Sequence, residues 1–332
     1  MRQLRSASSL LTPTQLDAVR ARSDRAGLLL VAHAWGVMVM AAALFVLWPN
    51  PVIYVLAVAL IGSRQLGLLI LMHDAAHGAL CRDPRLGCLL GQAFCAWPML
   101  ADMHIYRAYH LKHHTRTQQP DDPDIVLTGH YPISRASLRR KFWRDLSGQT
   151  GYAQRTAQLQ QALGDPQWPR ARRAAHYWRT LGPQTLANLI LFSLALASGH
   201  GWLYLLLWVV PLLTWQQCVL RVRNIAEHAA VRAPDDRFGN ARTTLVNGLE
   251  RTFIAPYFVN YHLEHHLVMW VPSYRLPLLR QYLCANGHGE RIETERGYLA
   301  VLRKVTTAAG DDDSERRRKR ASGTFARGFD VA

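Results

Sequence analysis

Cysteine is scarce in this chain, with five residues in 332. No Cys-x-x-Cys pair occurs, and three of the five, Cys81, Cys88 and Cys95, are spaced seven residues apart. A disulfide framework or a cysteine-based zinc site needs paired or closely spaced cysteines, so the sequence indicates neither. We expect reduced cysteines that serve as small apolar packing residues.

Acidic residues are also few. Asp and Glu number 23 against 39 Lys and Arg, which gives a formal net charge of +16 although 49% of the residues are hydrophobic. Basic and apolar residues must therefore be segregated along the chain. Residues 1–26 are polar and arginine-rich, and no small-residue cleavage site of the kind that ends a signal peptide follows them. We expect this segment to stay in the cytoplasm, and we expect no nucleic-acid partner.

Four apolar runs have the composition of membrane-spanning helices: 27–48, 52–72, 186–197 with weaker flanks, and 202–220. Short connectors without charge join the first to the second and the third to the fourth, while arginine-rich segments flank the other ends. Helices buried in a large soluble core are the alternative, but the charge distribution matches the positive-inside pattern better. We therefore expect an all-α integral membrane protein of the inner or plasma membrane, with two transmembrane hairpins and cytoplasmic termini.

A fifth apolar run, 86–100, is shorter than the roughly 20 residues that a spanning helix needs. If it crossed the membrane, the histidines before and after it would lie on opposite faces and could not share a site. We therefore expect an interfacial or re-entrant segment that packs within the protein.

Histidine is concentrated in four short segments, which hold nine of the fifteen residues. Two segments repeat the pattern His-x-x-His-His, and the others hold a His-x-x-x-His pair and an Asn-x-x-x-His pair. Positions i, i+3 and i+4 share one face of an α-helix, so the imidazoles of a segment converge. A lone histidine is usually an ordinary polar residue, but this repeated spacing predicts metal ligands. The segments contain His73 and His77; His110, His113 and His114; Asn224 and His228; and His262, His265 and His266.

The number of imidazoles predicts a dinuclear centre, because nine ligands exceed the needs of one ion and supply two ions with four or five each. Imidazole suits iron, copper, nickel and zinc, so the ligand type alone leaves the metal open. Neutral ligands also leave the charge of two cations uncompensated. We therefore expect carboxylates to accept hydrogen bonds from the outer ring nitrogens.

Asp74, Glu227 and Glu264 are the candidates for that role, since each is adjacent to a clustered histidine. Neighbours on a helix point about 100° apart, so some of the three would instead face water. The turn 119–124 contains three aspartates, and one of these is a further candidate to reach the metal site. His104 is the candidate for an additional histidine near the metals.

In their order and spacing, these motifs resemble the histidine boxes of the membrane fatty acid desaturase family. We call the first pair box 1 and the two His-x-x-His-His segments box 2 and box 3. The resemblance spans about residues 30–279 and is highly specific, although related hydroxylases and ketolases share the boxes. It implies that the nine histidines bind two irons and that Asn224 holds one iron through a water. Many members have four residues between the histidines of box 1, whereas this chain has three, so the box does not identify the subfamily.

The resemblance also implies four transmembrane helices under a cytoplasmic helical cap and the reductive activation of O2 as cosubstrate. We therefore expect an acyl-lipid desaturase that inserts a double bond into an acyl chain. A related oxygenase is the main alternative: a hydroxylase, a carotenoid ketolase or hydroxylase, or an alkene-forming fatty acid decarboxylase. A membrane metal transporter or hydrolase is a remote one. No heme-binding or flavin-binding module occurs, so a separate electron donor such as a ferredoxin or cytochrome is expected.

Arg64 is the candidate substrate residue outside the boxes. It lies nine residues before His73, which is about 13 Å along a helix, and an ionisable group at that depth suggests a function. Two roles are open: binding a lipid headgroup or carboxylate, and pairing within the helix bundle, which we favour.

The predicted organisation has six parts. They are a cytoplasmic N-terminal segment (1–26), a first hairpin (27–72), a first part of the cap (73–180), a second hairpin (181–220), a second part of the cap (221–303) and a disordered tail (304–332).

Overall fold

Helices form most of the structure, a computed structural model that describes residues 7–307. Short turns and brief 3₁₀ or π-helical segments join fifteen α-helices within that range. In chain order these are α1 (Pro13–Arg20), α2 (Asp24–Leu47), α3 (Pro51–Ala76), α4 (Pro84–Leu89), α5 (Met103–Arg116), α6 (Ile125–Thr128), α7 (Arg135–Leu146), α8 (Gln149–Leu163), α9 (Arg170–Ala197), α10 (Val210–Leu213), α11 (Trp215–His228), α12 (Gly248–Phe253), α13 (His262–Leu267), α14 (Leu276–Ala285) and α15 (Tyr298–Lys304).

Four helical stretches within residues 7–307 are long and apolar enough to cross a membrane. They are α2, α3, α9 and the composite stretch Tyr204–His228, in which a π-helical segment leads into α10 and α11. Each coincides with one of the four apolar runs. The helices extend beyond the runs because polar residues continue α3, α9 and α11 on the side where the histidines lie.

The central helix of the bundle is α3, with 26 residues. The Asn50 side chain caps its start by accepting hydrogen bonds from the amides of Val52 and Ile53, both at 3.1 Å. Pro51 suits the first helical position because its missing N–H would have no partner there. The helix packs against α2, α5 and α11, so its last turns lie where several helices meet.

The short apolar run expected to be interfacial or re-entrant is bent. After α4 the chain forms a π-helical segment (Leu90–Ala96) and a 3₁₀ turn (Trp97–Met99), and this arm makes an angle of 94° with α5. Gly91 approaches α3 so closely that a Cβ there would lie 2.3 Å from the Cβ of Ala75. The run therefore packs against α3, and its position relative to a membrane stays a prediction.

Four short strands occur within the described residues: β1 (Ile133–Ser134), β2 (Thr243–Leu245), β3 (Thr294–Arg296) and β4 (Thr306–Thr307). β1 pairs with β4 and β2 pairs with β3, both in parallel. The all-α prediction is therefore too simple. Strands of two or three residues are too short to leave an alternating pattern in the sequence.

The disordered tail was predicted to begin at residue 304, and this prediction is wrong for the first residues of that segment. Lys304 closes α15, and Thr306–Thr307 form β4 beside β1. The rest of that predicted tail, 308–332, and the first residues, 1–6, lie outside the described range.

Two apolar clusters hold the helices together. The larger joins the long helices, with Val31, Leu68 and Val219 in its interior. The smaller lies beneath the N-terminal segment, where Val19 of α1 packs in the same cluster as Leu263 of α13. Full burial of such a side chain stabilises a fold by about 1.5–3 kcal/mol. The prediction for the N-terminal segment rests only on its charge. Its apolar residues also help to hold α13, the helix of box 3.

Candidate metal centre

The four histidine segments lie at helix ends that meet at one place. Box 1 closes α3, box 2 occupies the last two turns of α5, His228 ends α11, and box 3 makes up most of α13. The structure brings all nine clustered histidines together in two adjoining groups. Both groups are buried or nearly so.

The first group contains His73, His77, His110, His114 and His265, whose ring nitrogens lie within 4.8 Å of one another. The Nε2 atom of His265 lies 3.0 Å from that of His73 and 2.9 Å from that of His114. The Nε2 atoms of His110 and His114 are also 2.9 Å apart. Five ring nitrogens from α5, α13 and the end of α3 thus surround one point.

The second group contains His113, His228, His262 and His266, with the same limit of 4.8 Å between ring nitrogens. The Nε2 atom of His228 lies 2.8 Å from that of His262 and 3.1 Å from that of His113. Asn224 lies one turn before His228 on the same face of α11 and is half-buried. Its predicted role in holding an iron through water stays a prediction.

The grouping explains the repeated His-x-x-His-His spacing. In α5 the i and i+4 histidines, His110 and His114, belong to the first group, and the i+3 histidine belongs to the second. In α13 the assignment is reversed, because His262 and His266 belong to the second group and His265 to the first. Box 2 and box 3 therefore each contribute histidines to both groups within a little more than one helical turn. A single ion would not require this arrangement.

Most of the rings outside the long helices favour the neutral form, which is the form that ligates metals. Burial, followed by the charges of neighbouring histidines, holds the pKa well below its usual range for most rings outside the long helices. Burial and the charge of Arg107 lower the pKa of His77 to about 4. The rings with a pKa far below the ordinary value are His110, His114, His262, His265 and His266.

The residues fit a pair of metal ions. Neutral Nε2 atoms that face one another at about 3 Å need a shared proton or a cation between their lone pairs. The Nε2 atom of His77 is buried and has no hydrogen-bond partner among the described residues, although it belongs to the first group. A buried polar atom without a partner is costly, and coordination of a metal would satisfy it.

His113 differs from the other rings because two carboxylates lie behind it. Its Nδ1 lies 2.8 Å from Asp122 Oδ1 and 3.4 Å from Asp124 Oδ2. Burial lowers the pKa of His113, but the hydrogen bond to Asp122 and the charges of both carboxylates outweigh it and leave the pKa raised. An N–H on Nδ1 that donates to Asp122 leaves Nε2 free to face the second group. The aspartates of the turn 119–124 thus reach the site by supporting a ligand ring.

Two of the three predicted carboxylates contact an imidazole. Asp74 Oδ1 lies 3.4 Å from Nδ1 of His73, and its other oxygen accepts the amide N–H of Ser273 at 2.9 Å. Glu227 Oε1 lies 3.3 Å from Nδ1 of His262. Both carboxylates lie close enough to orient a ring, and their role in offsetting the charge of a metal stays a prediction.

Glu264 does not contact an imidazole among the described residues, which corrects the prediction. Its side chain is fully buried, and it accepts hydrogen bonds from Arg280 Nη1 at 2.7 Å and from the Thr243 hydroxyl. Burial raises the pKa of Glu264, opposed by the charge of Arg280. One residue along a helix turns the side chain by about 100° away from His265. Glu264 therefore anchors α13 to α14 and β2.

His104 is not brought to the metal groups either. It is exposed, and its Nε2 lies 3.8 Å from the sulfur of Cys88. His104 lies six residues before His110, and six steps of about 100° place it on a different face of α5.

The end of α11 has two contacts that sequence reasoning missed. The backbone carbonyl of Asn240 lies 3.3 Å from Nδ1 of His228. Arg242, which is fully buried, donates hydrogen bonds to the carbonyls of Ala226 and Ala229 at 3.1 and 3.0 Å. A cation that binds the terminal carbonyls stabilises the end of a helix, here the end that carries His228. No local motif around Arg242 signals this role, because its partners lie earlier in the chain.

Helices of membrane-spanning length and two adjoining groups of buried or half-buried imidazoles are features of membrane proteins with histidine-rich sites that could bind metal. The Fatty acid desaturase family model matches residues 47–289, which is most of the chain. The chain therefore belongs to the fatty acid desaturase family and is an oxidoreductase.

Curated relatives include enzymes of two kinds. A dihydrorhizobitoxine desaturase of Bradyrhizobium elkanii is 29% identical over 68% of this chain, and the match spans 66% of the relative, just under two thirds. A beta-carotene ketolase of a Paracoccus species, strain PC1, is 27% identical over 76% of this chain and 87% of the relative. A second Paracoccus beta-carotene ketolase is 26% identical over 65% of this chain and 74% of the relative.

Proposed function

We propose that the nine clustered histidines bind two iron ions and that the protein is an O2-dependent acyl-lipid desaturase. The observation that carries this proposal is the division of nine buried, mostly neutral imidazoles into groups of five and four. The first group supplies ligands for one ion. The second group, with Asn224 one turn from His228, supplies ligands for the other.

The four long helices form two transmembrane hairpins in this proposal, and the histidines lie on the cytoplasmic side with both termini. The grouping of box 1 and box 2 supports this topology, because the bent segment 84–99 separates them in sequence but not in space. If that segment crossed the membrane, the two boxes could not share a group. The remaining helices and the short sheets then form a cap over the site.

Iron in this site would supply the reductive activation of O2. The overall reaction removes two hydrogens from adjacent carbons of an acyl chain and reduces O2 to two waters, with two further electrons from a donor protein and two protons from water. The residues of the chain have three tasks. The imidazoles hold the ions, Asp74, Asp122 and Glu227 fix the ring orientations, and the surrounding apolar core keeps bulk water out.

The electrons come from a separate protein, such as a ferredoxin or a cytochrome. The formal net charge of +16 supports an acidic partner, because opposite charges speed the encounter of two proteins. A membrane lipid or another acyl compound is the substrate, since helices long enough to span a membrane would bring the site beside the hydrocarbon phase.

A second candidate function keeps the same site and introduces oxygen, because a ketolase replaces the two hydrogens of a methylene with a carbonyl oxygen. The matches to two beta-carotene ketolases favour it, and the first of them is covered over 87% of its length. A carotenoid would approach from the membrane as an acyl chain does. The two functions differ in product mass and not in the metal ligands.

Expression in a host without a desaturase of its own, with and without carotenoid production, tests both functions. Mass spectrometry of the extracted lipids should show an acyl species lighter by two hydrogens, and a His262→Ala control should abolish it. A carotenoid that has gained one oxygen and lost two hydrogens for each keto group would favour the ketolase instead. Unchanged lipids and carotenoids, in cells supplied with a ferredoxin and its reductase, would contradict both.

A further inference from the structure

Ser63 and Arg64 are polar residues in the middle of α3 and are buried there. Ser63 has no exposed surface and Arg64 is 6% exposed, whereas the next residue, Gln65, is also fully buried but donates to the carbonyl of Trp208. Polar groups buried in such surroundings need hydrogen-bond partners, and their partners identify their role.

The partners of both side chains are backbone carbonyls at the end of α12. The hydroxyl of Ser63 donates to the carbonyl of Phe253, and Nη2 of Arg64 donates to the carbonyl of Thr252. The last carbonyls of a helix have no partner within that helix. A cation near them also complements the negative end of the helix dipole. Two side chains of α3 thus cap the C-terminal end of α12.

The 252–258 loop, which comprises the last two residues of α12 and the turn that follows them, adopts an unfavourable conformation. Tyr257 has φ 53° and ψ 37°, and Phe258 has φ 62°, both in the left-handed region that residues with a Cβ rarely occupy. Such conformations persist only where surrounding contacts enforce them. The 252–258 loop is therefore held in place by its neighbours.

Three contacts hold Tyr257. The guanidinium of Arg64 lies 5.6 Å from the centre of its ring. Its hydroxyl hydrogen-bonds Nδ1 of His33 in α2 at 3.1 Å. The ring also lies against Gly67, where a Cβ would come within 2.6 Å of Tyr257 Cε2, so the close approach requires glycine. α2 and α3 thus fix the loop together.

The loop leads within a few residues to His262, the first residue of α13. α3 ends in His73 and His77, so the same helix carries box 1 at its end and holds the approach to box 3 in its middle. The two boxes contribute to a shared metal group through His73 and His265, whose Nε2 atoms are 3.0 Å apart.

We propose that Arg64, with Ser63 and Tyr257, is a positioning residue that sets box 3 against box 1. This inference rests on the proposed function only in that the boxes bind metal. It assigns the buried guanidinium to the protein backbone and an aromatic ring, in place of a substrate carboxylate. Within residues 7–307 Arg64 forms no ion pair with a carboxylate.

Titration of the metal-free full chain with Co(II) in detergent tests the proposal, because the visible bands of Co(II) report its ligands without turnover. Wild type should bind two Co(II) per chain. Arg64→Met should weaken Co(II) binding about 10–100-fold, the usual effect of losing a residue that supports ligands, and should alter the bands. Arg64→Lys keeps a cationic hydrogen-bond donor, so its Co(II) affinity should lie between those of Arg64→Met and wild type. Arg82→Met, at an exposed arginine, is the matched control and should behave as wild type.

The outcomes separate this proposal from the proposed function. A wild type that binds no Co(II) would refute the metal site itself. Wild-type Co(II) binding by Arg64→Met, with a raised KM or a changed chain-length preference, would overturn the positioning role and assign Arg64 to the substrate. If Arg64→Met cannot be purified, the variants Ser63→Ala and Tyr257→Phe test the positioning role, since each removes one hydroxyl that contacts a neighbouring element. Both should weaken Co(II) binding, and unchanged affinity in both would overturn the proposal.

Discussion

Nδ1 of His113 lies 2.8 Å from Oδ1 of Asp122, and both side chains are buried. This contact orients the ring so that its Nε2 atom faces the Nε2 atoms of His228 and His266. Asp122 also accepts the amide N–H of Gln118 at 2.8 Å, which holds the carboxylate in place. The orientation of one proposed ligand is thus fixed by a turn that directly follows box 2.

Replacement of Asp122 should weaken metal binding at the second group. Asp122→Ala removes the acceptor for the His113 ring, so we expect a loss of about 10–100-fold in metal affinity, measured by titration of the metal-free chain. Asp121→Ala is a matched control one residue away, because that carboxylate is exposed and pairs with Arg116. Equal affinities for the two variants would contradict the supporting role of Asp122.

The two groups should lose their ions independently. His77→Ala removes a member of the first group, and His262→Ala removes a member of the second. Elemental analysis of each purified variant should show a fall from two ions per chain toward one, with different spectra for the ions that remain. Identical spectra, or complete loss of both ions from either variant with the fold intact, would argue for a single merged site.

Arg242 should matter mainly for the second group. Arg242→Met leaves the last carbonyls of α11 without their buried donor, so His228 should become less well positioned. We expect the second ion to bind more weakly while the first is retained. The comparison is with Arg303→Met, at an exposed arginine of α15. Weakened binding at the first group alone would refute the assignment.

The ion pair between Glu264 and Arg280 should stabilise the fold. Either Glu264→Gln or Arg280→Met leaves a buried or half-buried partner without its counterpart, a change that typically costs about 3–5 kcal/mol. The loss should appear in denaturant unfolding of the detergent-solubilised protein, and the double variant should lose less than the sum of the single ones. Additive losses would show that the two side chains do not interact.

The purified enzyme should be inactive alone. With O2 and substrate but no electron donor, we expect neither O2 consumption nor product, because the reaction needs two electrons that the substrate does not provide. Addition of a ferredoxin with its reductase should start turnover, and high salt should slow it by screening the charges. Sustained turnover without any donor would contradict the proposed reaction.

The convergence of the clustered histidines was predictable because their spacing within each helix is a local property. The spacing of the histidines in box 2 and box 3 is enough to predict which rings share a face of the helix. The spanning helices were predictable for the same reason, since an apolar run of sufficient length is visible in the sequence. The need for carboxylates behind neutral rings also follows from charge, and Asp74 and Glu227 meet it.

The remaining features depend on contacts between distant segments. Glu264 and His104 are close to the boxes in sequence, but the turn of the helix directs them elsewhere. The contacts of Arg64 with the 252–258 loop join residues about 190 positions apart, and no local pattern encodes them. The strand β4 has two residues and exists only because β1 lies beside it.

The most direct measurement is Mössbauer spectroscopy of the purified chain produced with iron-57, combined with iron analysis. Two irons per chain are expected, with two distinct signals of equal area, because in the proposed centre five imidazoles would surround one ion and four would surround the other. A single iron, or a fully active enzyme that contains another metal and no iron, would contradict the proposed centre.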